Sequence, residues 1–200
     1  MRFQLPQDVR IIMGHTRMTT QGDEKRNWNN HPFLGCAGRT MFALAHNGVL
    51  HNDKDLRIKH HLPHTKVETD SYVAVQLLEQ EKTLDFETIG HMAEKMKGTF
   101  NFTVLDAYDN TYFVKGNNPL AIYYWPERKL YLYASTDSIL KTALQHLPMQ
   151  LGQSTEISVK SGEILLIDSY GKRSYGTFAG RDCGQEEKGT TEDEMAGWHH

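Results

Sequence analysis

The sequence is poor in cysteine. Cys36 and Cys183 are the two it has in 200 residues, too few for a disulfide framework or a four-cysteine zinc site. No apolar run approaches the length of a bilayer span, and the first residues, MRFQLPQDVR, lack the charged and hydrophobic stretches of a signal peptide. Nor is there a Lys/Arg-rich run. The 22 Lys and Arg against 25 Asp and Glu leave a net charge of -3, which argues against nucleic acid as the main partner. No segment repeats. Together these absences lead us to expect a protein of the reducing cytoplasm, with no membrane and no nucleic-acid partner.

What is present suffices for one domain. The chain is 38% apolar and 24% charged, near the usual globular values, and its length allows one sizeable core but not two ordinary domains. Strands are expected at Val9–Met13, Met41–Ala45, Phe100–Asp106, Tyr112–Lys115, Ala121–Trp125, Tyr131–Ala134 and Glu163–Asp168. In TFNFTVLD, Phe100, Phe102 and Val104 alternate with smaller or polar residues, as in a half-buried strand. Helices are expected from Thr69 or Asp70 to about Gln80, from Asp85 to a stop at Gly98, and from about Asp137. Turns fall at Asp109–Asn110, Gly116–Asn118 and Tyr170–Lys172. Strands outnumber helices and mostly follow one another directly, so the spacing predicts α+β with antiparallel sheets and outer helices. Residues 1–177 are expected to form the domain and 178–200, containing GQEEKGTTEDE, a disordered acidic tail.

Three motifs carry chemistry. In GHTRMTTQG (Gly14–Gly22), an arginine follows an apolar run and is itself followed by hydroxyls and a glycine. A guanidinium can hold a carboxylate by two parallel hydrogen bonds; such an arginine can equally face water. In ALAHNGVLHN (Ala43–Asn52), Asn-Gly between apolar runs can be a tight hairpin turn. It can also aim an amide side chain and a glycine N–H at one spot, forming an oxyanion hole. In VETDSYVAVQLL (Val67–Leu78), Thr-Asp can cap a helix or present Asp70 to a ligand's ammonium group.

Taken in order, the three motifs resemble the class II glutamine amidotransferases, which are N-terminal-nucleophile hydrolases with an αββα sandwich of mostly antiparallel sheets. The similarity runs over roughly residues 9–168 and is nearest in flavour to the glutaminase domains of glucosamine-6-phosphate synthase and of the purine-pathway amidophosphoribosyltransferase. His31–Pro32, GTFNFTVLD, YASTDSIL and GEILLID add to it. The resemblance implies L-glutamine as the ligand. It gives Arg17 to the α-carboxylate with Thr20 beside it, Asp70 to the α-ammonium group, and the oxyanion hole to the Asn47 side chain and the Gly48 N–H. His15 and His46 are expected to support this pocket by hydrogen bonding. Gln21 and Met18 depart from the pattern, where histidine and an aromatic are common, and leave the subfamily open. No metal and no cofactor is implied. A separate acceptor or synthase subunit fits the resemblance, and a homo-oligomer is expected where missing strands leave sheet edges exposed.

The family's nucleophile is an N-terminal cysteine whose own α-amine, with an ordinary pKa of about 7.7–8.0, serves as the base. This sequence begins Met-Arg-Phe, without the family segment that precedes GHTR. We therefore expect an N-terminally incomplete, truncated sandwich that is inactive as it stands. It would be either part of a longer enzyme that hydrolyses glutamine to glutamate and ammonia, or a non-catalytic module that binds glutamine or a partner. Cys36 and Cys183 are expected to be ordinary thiols. Among the 11 histidines, His60, His61 and His64 in KHHLPHT could suggest zinc; Pro63 and the lack of converging ligands favour a polar loop.

Overall fold

The computed structural model describes residues 8–16, 22–23 and 25–179. Nine strands and four helices are assigned among them: β1 (Phe33–Ala37), β2 (Thr40–Leu50), α1 (Asp53–Lys59), α2 (Tyr72–Glu79), α3 (Phe86–Glu94), β3 (Gly98–Asp106), β4 (Thr111–Lys115), β5 (Ala121–Trp125), β6 (Leu130–Ala134), α4 (Asp137–Gln145), β7 (Thr155–Glu156), β8 (Glu163–Ile167) and β9 (Arg173–Thr177). One sheet has six strands in the order β1-β2-β3-β4-β8-β9 and the other three in the order β6-β5-β7. Every pairing is antiparallel.

Strand alternation divides the larger sheet into two faces. On one, Phe42, Leu44, Phe100, Phe102, Val104, Tyr112, Val114 and Ile164 meet Val73 and Leu77 of α2 and Ile89 and Met92 of α3. On the other, Phe113, Leu165 and Ile167 meet Ile122, Tyr131 and Tyr133 of the smaller sheet. α4 covers the outer face of that sheet, where Tyr123 Oη donates to Asp137 at 2.6 Å. The layers are thus helix, sheet, sheet, helix, as the antiparallel αββα expectation has it.

Local chemistry sets the helix ends. Asp85 and Thr88 form a capping box at α3, each side chain bonding the other's backbone, and Thr136 caps α4. α2 differs from expectation. Its N-cap is Ser71, in αR conformation and without a side-chain cap bond, because the Asp70 carboxylate is engaged by the sheet instead. Gly98 does not stop a helix; α3 ends at Glu94 and Gly98 opens β3. Val9–Met13 forms no strand. Val9, Ile11 and Ile12 lie along a cleft rather than beside a partner strand. The loop reading of KHHLPHT agrees with the turn at residues 60–61, where His61 has φ 49°. Among the described residues, no helix is long and apolar enough to cross a membrane. The core includes Phe178, whose N–H donates to Gly162 O at 2.8 Å; the acidic segment from residue 180 onward lies outside the described residues.

The central strand and the edge strand of the larger sheet contribute unequally to stability. Phe102 is 1% exposed and Leu34 68%. Phe102→Ala is expected to cost about 3–5 kcal/mol and Leu34→Ala less than about 0.5 kcal/mol. Urea unfolding of both variants measures the contrast.

Candidate functional site

The site forms where β2 outruns β1. β1 pairs with β2 up to Leu44, whereas β3 accompanies β2 to Leu50. Among the described residues, one side of β2 therefore has no strand neighbour beyond Leu44. The odd residues turn their N–H groups towards β3, as Val49 (to Thr99 Oγ1, 3.2 Å) and His51 (to Lys97 O, 2.8 Å) show. By alternation, His46, Gly48 and Leu50 turn theirs to the open side. The Leu50 N–H donates to Asp70 Oδ2 at 2.6 Å. Asp70 is 3% exposed, so a carboxylate is buried against a strand edge at the start of a helix.

Asn47 and Gly48 are not a hairpin turn. They lie inside β2, opposite Asn101 and Phe100. Gly48 has φ +146°, and a Cβ there would come within 1.9 Å of Thr99 O, so only glycine fits this backbone. Asn47 lines the cleft between the sheets, about 1370 Å³ in volume, together with Gly14, His15, Asn101, Thr103 and Tyr133. Its carbonyl accepts from Asn118 Nδ2 at 2.6 Å. Asn101 holds the same turn, donating to Asn118 O (2.9 Å) and Pro119 O (2.8 Å) and accepting from the Gly116 N–H (3.0 Å). This asparagine network was not foreseen; its trace in the sequence is the Asn-Asn pair after Gly116.

The loop that delivers Asp70 is tied at several points. Arg57 donates to Gln76 Oε1 at 2.9 Å and to Thr69 O at 3.3 Å, and Gln76 Nε2 donates to Pro63 O at 2.6 Å. Asn29, fully buried, donates to Glu68 Oε2 and accepts from the Glu68 N–H, both at 2.9 Å. The Asn29 bond, foremost, holds the Glu68 carboxyl below its ordinary pKa. Thr69 Oγ1 is buried without a hydrogen-bond partner among the described residues.

Of the expected site residues, the structure locates Asn47, Gly48 and Asp70. Arg17 and Thr20, like Met18 and Gln21, lie outside the described residues. Their described flanks are both near Asp70's surroundings. His15 meets the His31 ring edge-on at 4.3 Å, and Gly22 abuts Asn29 and Glu68. Two further residues join Asp70 to β2: Ser71 Oγ lies 2.7 Å from His46 Nδ1, and His46 Nε2 lies 3.3 Å from Thr99 O. Cys36 is on β1, its Sγ 3.7 Å from Gly38 O. It pairs with Met41, which puts it about 20 Å along the sheet from Asn47. Among the described residues no group of three or more His, Cys, Asp or Glu is placed to hold a metal.

Known proteins resemble this chain in sequence and fold. A family model described as a glutamine amidotransferase domain matches residues 15–142. The glutamine–fructose-6-phosphate aminotransferase (isomerizing) of Sulfurisphaera tokodaii is 32% identical over 118 residues, covering 56% of this chain and 20% of that protein. The protein of the same name from Lactococcus lactis is 32% identical over 117 residues, covering 55% and 19%. The chain thus spans about a fifth of the length of these relatives. Among solved structures, the glutamine phosphoribosylpyrophosphate amidotransferase of B. subtilis superposes with a TM-score of 0.64 at 21% identity, over 82% of this chain and 34% of that one. A glutamine aminotransferase class-II domain protein from Silicibacter pomeroyi gives 0.50 at 20% identity, over 77% and 73%. These two likenesses bear on the fold.

His46 gives the site a defined acid response. Burial, only partly offset by the charge of Asp70, lowers its pKa from 6.5 to about 4. The unfolded chain therefore takes up this proton first, and stability is lost as pH falls from about 6.5 towards 4. Between pH 7 and 4.5 the loss from this group is expected to be about 2 kcal/mol. Urea midpoints at the two pH values should differ more for the parent chain than for His46→Phe, which has no proton to take up.

Proposed function

Because the chain belongs to the glutamine amidotransferase domain family, we propose that it binds L-glutamine at the open side of β2, beside the start of α2. Asp70 carries this reading. Its carboxylate is buried, it does not cap the helix, and it is anchored to β2 through the Leu50 N–H. In this role it receives the ligand's α-ammonium group. Gly48, two residues back on the same strand and about 7 Å away, turns its N–H to the same side, within reach of the amide of an extended glutamine. The Gly48 N–H and the Asn47 side chain then serve the amide oxygen as an oxyanion hole. Arg17, with Thr20, holds the α-carboxylate; the placement of Gly22 against Glu68, in the loop before Asp70, supports it.

Cleavage of the amide to glutamate and ammonia needs a nucleophile. Cys36 is too distant to serve, and Cys183 lies outside the described residues. We read the described residues as the glutamine-binding part of a glutaminase, with the attacking thiol and the ammonia acceptor supplied from elsewhere. An acidic tail beyond residue 179, a cytoplasmic location and a separate acceptor subunit are parts of the same reading.

Calorimetric titration tests it. L-Glutamine is expected to bind and D-glutamine not, and Asp70→Asn or Arg17→Ala should weaken binding about tenfold or more, as loss of a charged hydrogen bond does. Equal affinity of both variants and the parent would overturn the pocket. Ammonia release from L-glutamine by this chain alone would overturn the statement about its cysteines.

A further inference from the structure

His46 is 2% exposed, its ring lying 4.8 Å from that of Phe102. Its Nε2 faces the Thr99 carbonyl at 3.3 Å and its Nδ1 faces Ser71 Oγ at 2.7 Å; Ser71 Oγ is in turn 3.3 Å from Asp70 Oδ1. These contacts restrict where protons can be. A carbonyl oxygen only accepts, so the Thr99 contact requires the proton on Nε2. The charged group that faces the ring is Asp70, which favours an imidazolium, while His15 and above all burial disfavour one. The ring is therefore neutral near pH 7 and carries one N–H. Nδ1 is then a bare lone pair, and at 2.7 Å the Ser71 hydroxyl must donate to it.

Serine has a single hydroxyl proton. Once it points at His46, none is left for Asp70 Oδ1, whose companion Oδ2 is served by the Leu50 N–H. We propose that His46 is a positioning residue for the ammonium site: it draws the Ser71 proton away and keeps Asp70 Oδ1 open to the ligand. This rests on the assignment of Asp70 to the α-ammonium group. Without the imidazole, Ser71 turns its proton to Asp70 Oδ1, takes one of its two lone pairs and competes there with the ammonium group.

Two measurements decide the matter. Long-range ¹H–¹⁵N spectra of the histidine rings, with His46 assigned by comparison with His46→Phe or His46→Gln, should show at pH 7 a bare Nδ1 and a protonated Nε2. A protonated Nδ1 overturns the proposal whatever the ligand does. Titrations with L-glutamine should then give Ser71→Ala close to the parent and His46→Phe weaker by about fivefold, the scale of one net hydrogen bond. The double variant should recover to near the Ser71→Ala value. A double variant no tighter than His46→Phe overturns the competition between Ser71 and the ligand. If Asp70→Asn binds glutamine as the parent does, the assignment of Asp70 fails and takes the proposal with it, while the spectra still report the protons.

Discussion

The buried bond from the Leu50 N–H to Asp70 is the constraint around which this end of the molecule is arranged. A strand that outruns its neighbour exposes backbone donors on one side, and a buried donor left without a partner costs about 1–3 kcal/mol. Here a side chain from the next element takes one of those donors. That draws the start of α2 against the strand, and the loop before it must be held to match. The Arg57–Gln76 and Asn29–Glu68 contacts do so, from a helix on one side and from the segment after Gly22 on the other.

Asparagine and histidine, rather than ion pairs, connect these parts. The ion pairs among the described residues lie on side chains well exposed to solvent, where such pairs contribute little. The buried polar side chains Asn29, His46, Asn52 and Asn101 instead each bond a backbone group, and Asn29 and His46 also bond the side chains of Glu68 and Ser71. Neutral groups can be buried at modest cost when each finds its partner, and their fixed directions hold backbone segments in register. At this end of the molecule Asp70 is the buried carboxylate, held by the Leu50 N–H.

Much of the layered fold could be read from the sequence, because Phe100, Phe102 and Val104, or Phe113 and Leu165, alternate as sheet residues must. What escaped was short or weakly patterned. β1 is FLGCA, with glycine and alanine at two of its inward positions, and α1 buries Leu56 alone. The motifs misled where local rules and tertiary structure compete. Asn47–Gly48 has turn chemistry but continues a strand, since β3 pairs with it on the far side. Asp70 has capping chemistry but bonds the strand, since Leu50 offers a buried donor. Both departures coincide with residues picked out for the site, where local preference is most often overridden.

The asparagine network has a consequence for how the two sheets sit together. The chain leaves the larger sheet at Lys115 and enters the smaller one at Ala121. Asn101 grips this passage from the middle of β3, and Asn118 reaches across it to Asn47. The crossing is thereby riveted to the strand that bears Asn47 and Gly48. The mouth of the cleft and the Asn47–Gly48 segment share one mechanical mount, so a shift of the smaller sheet pulls directly on the carbonyl of Asn47.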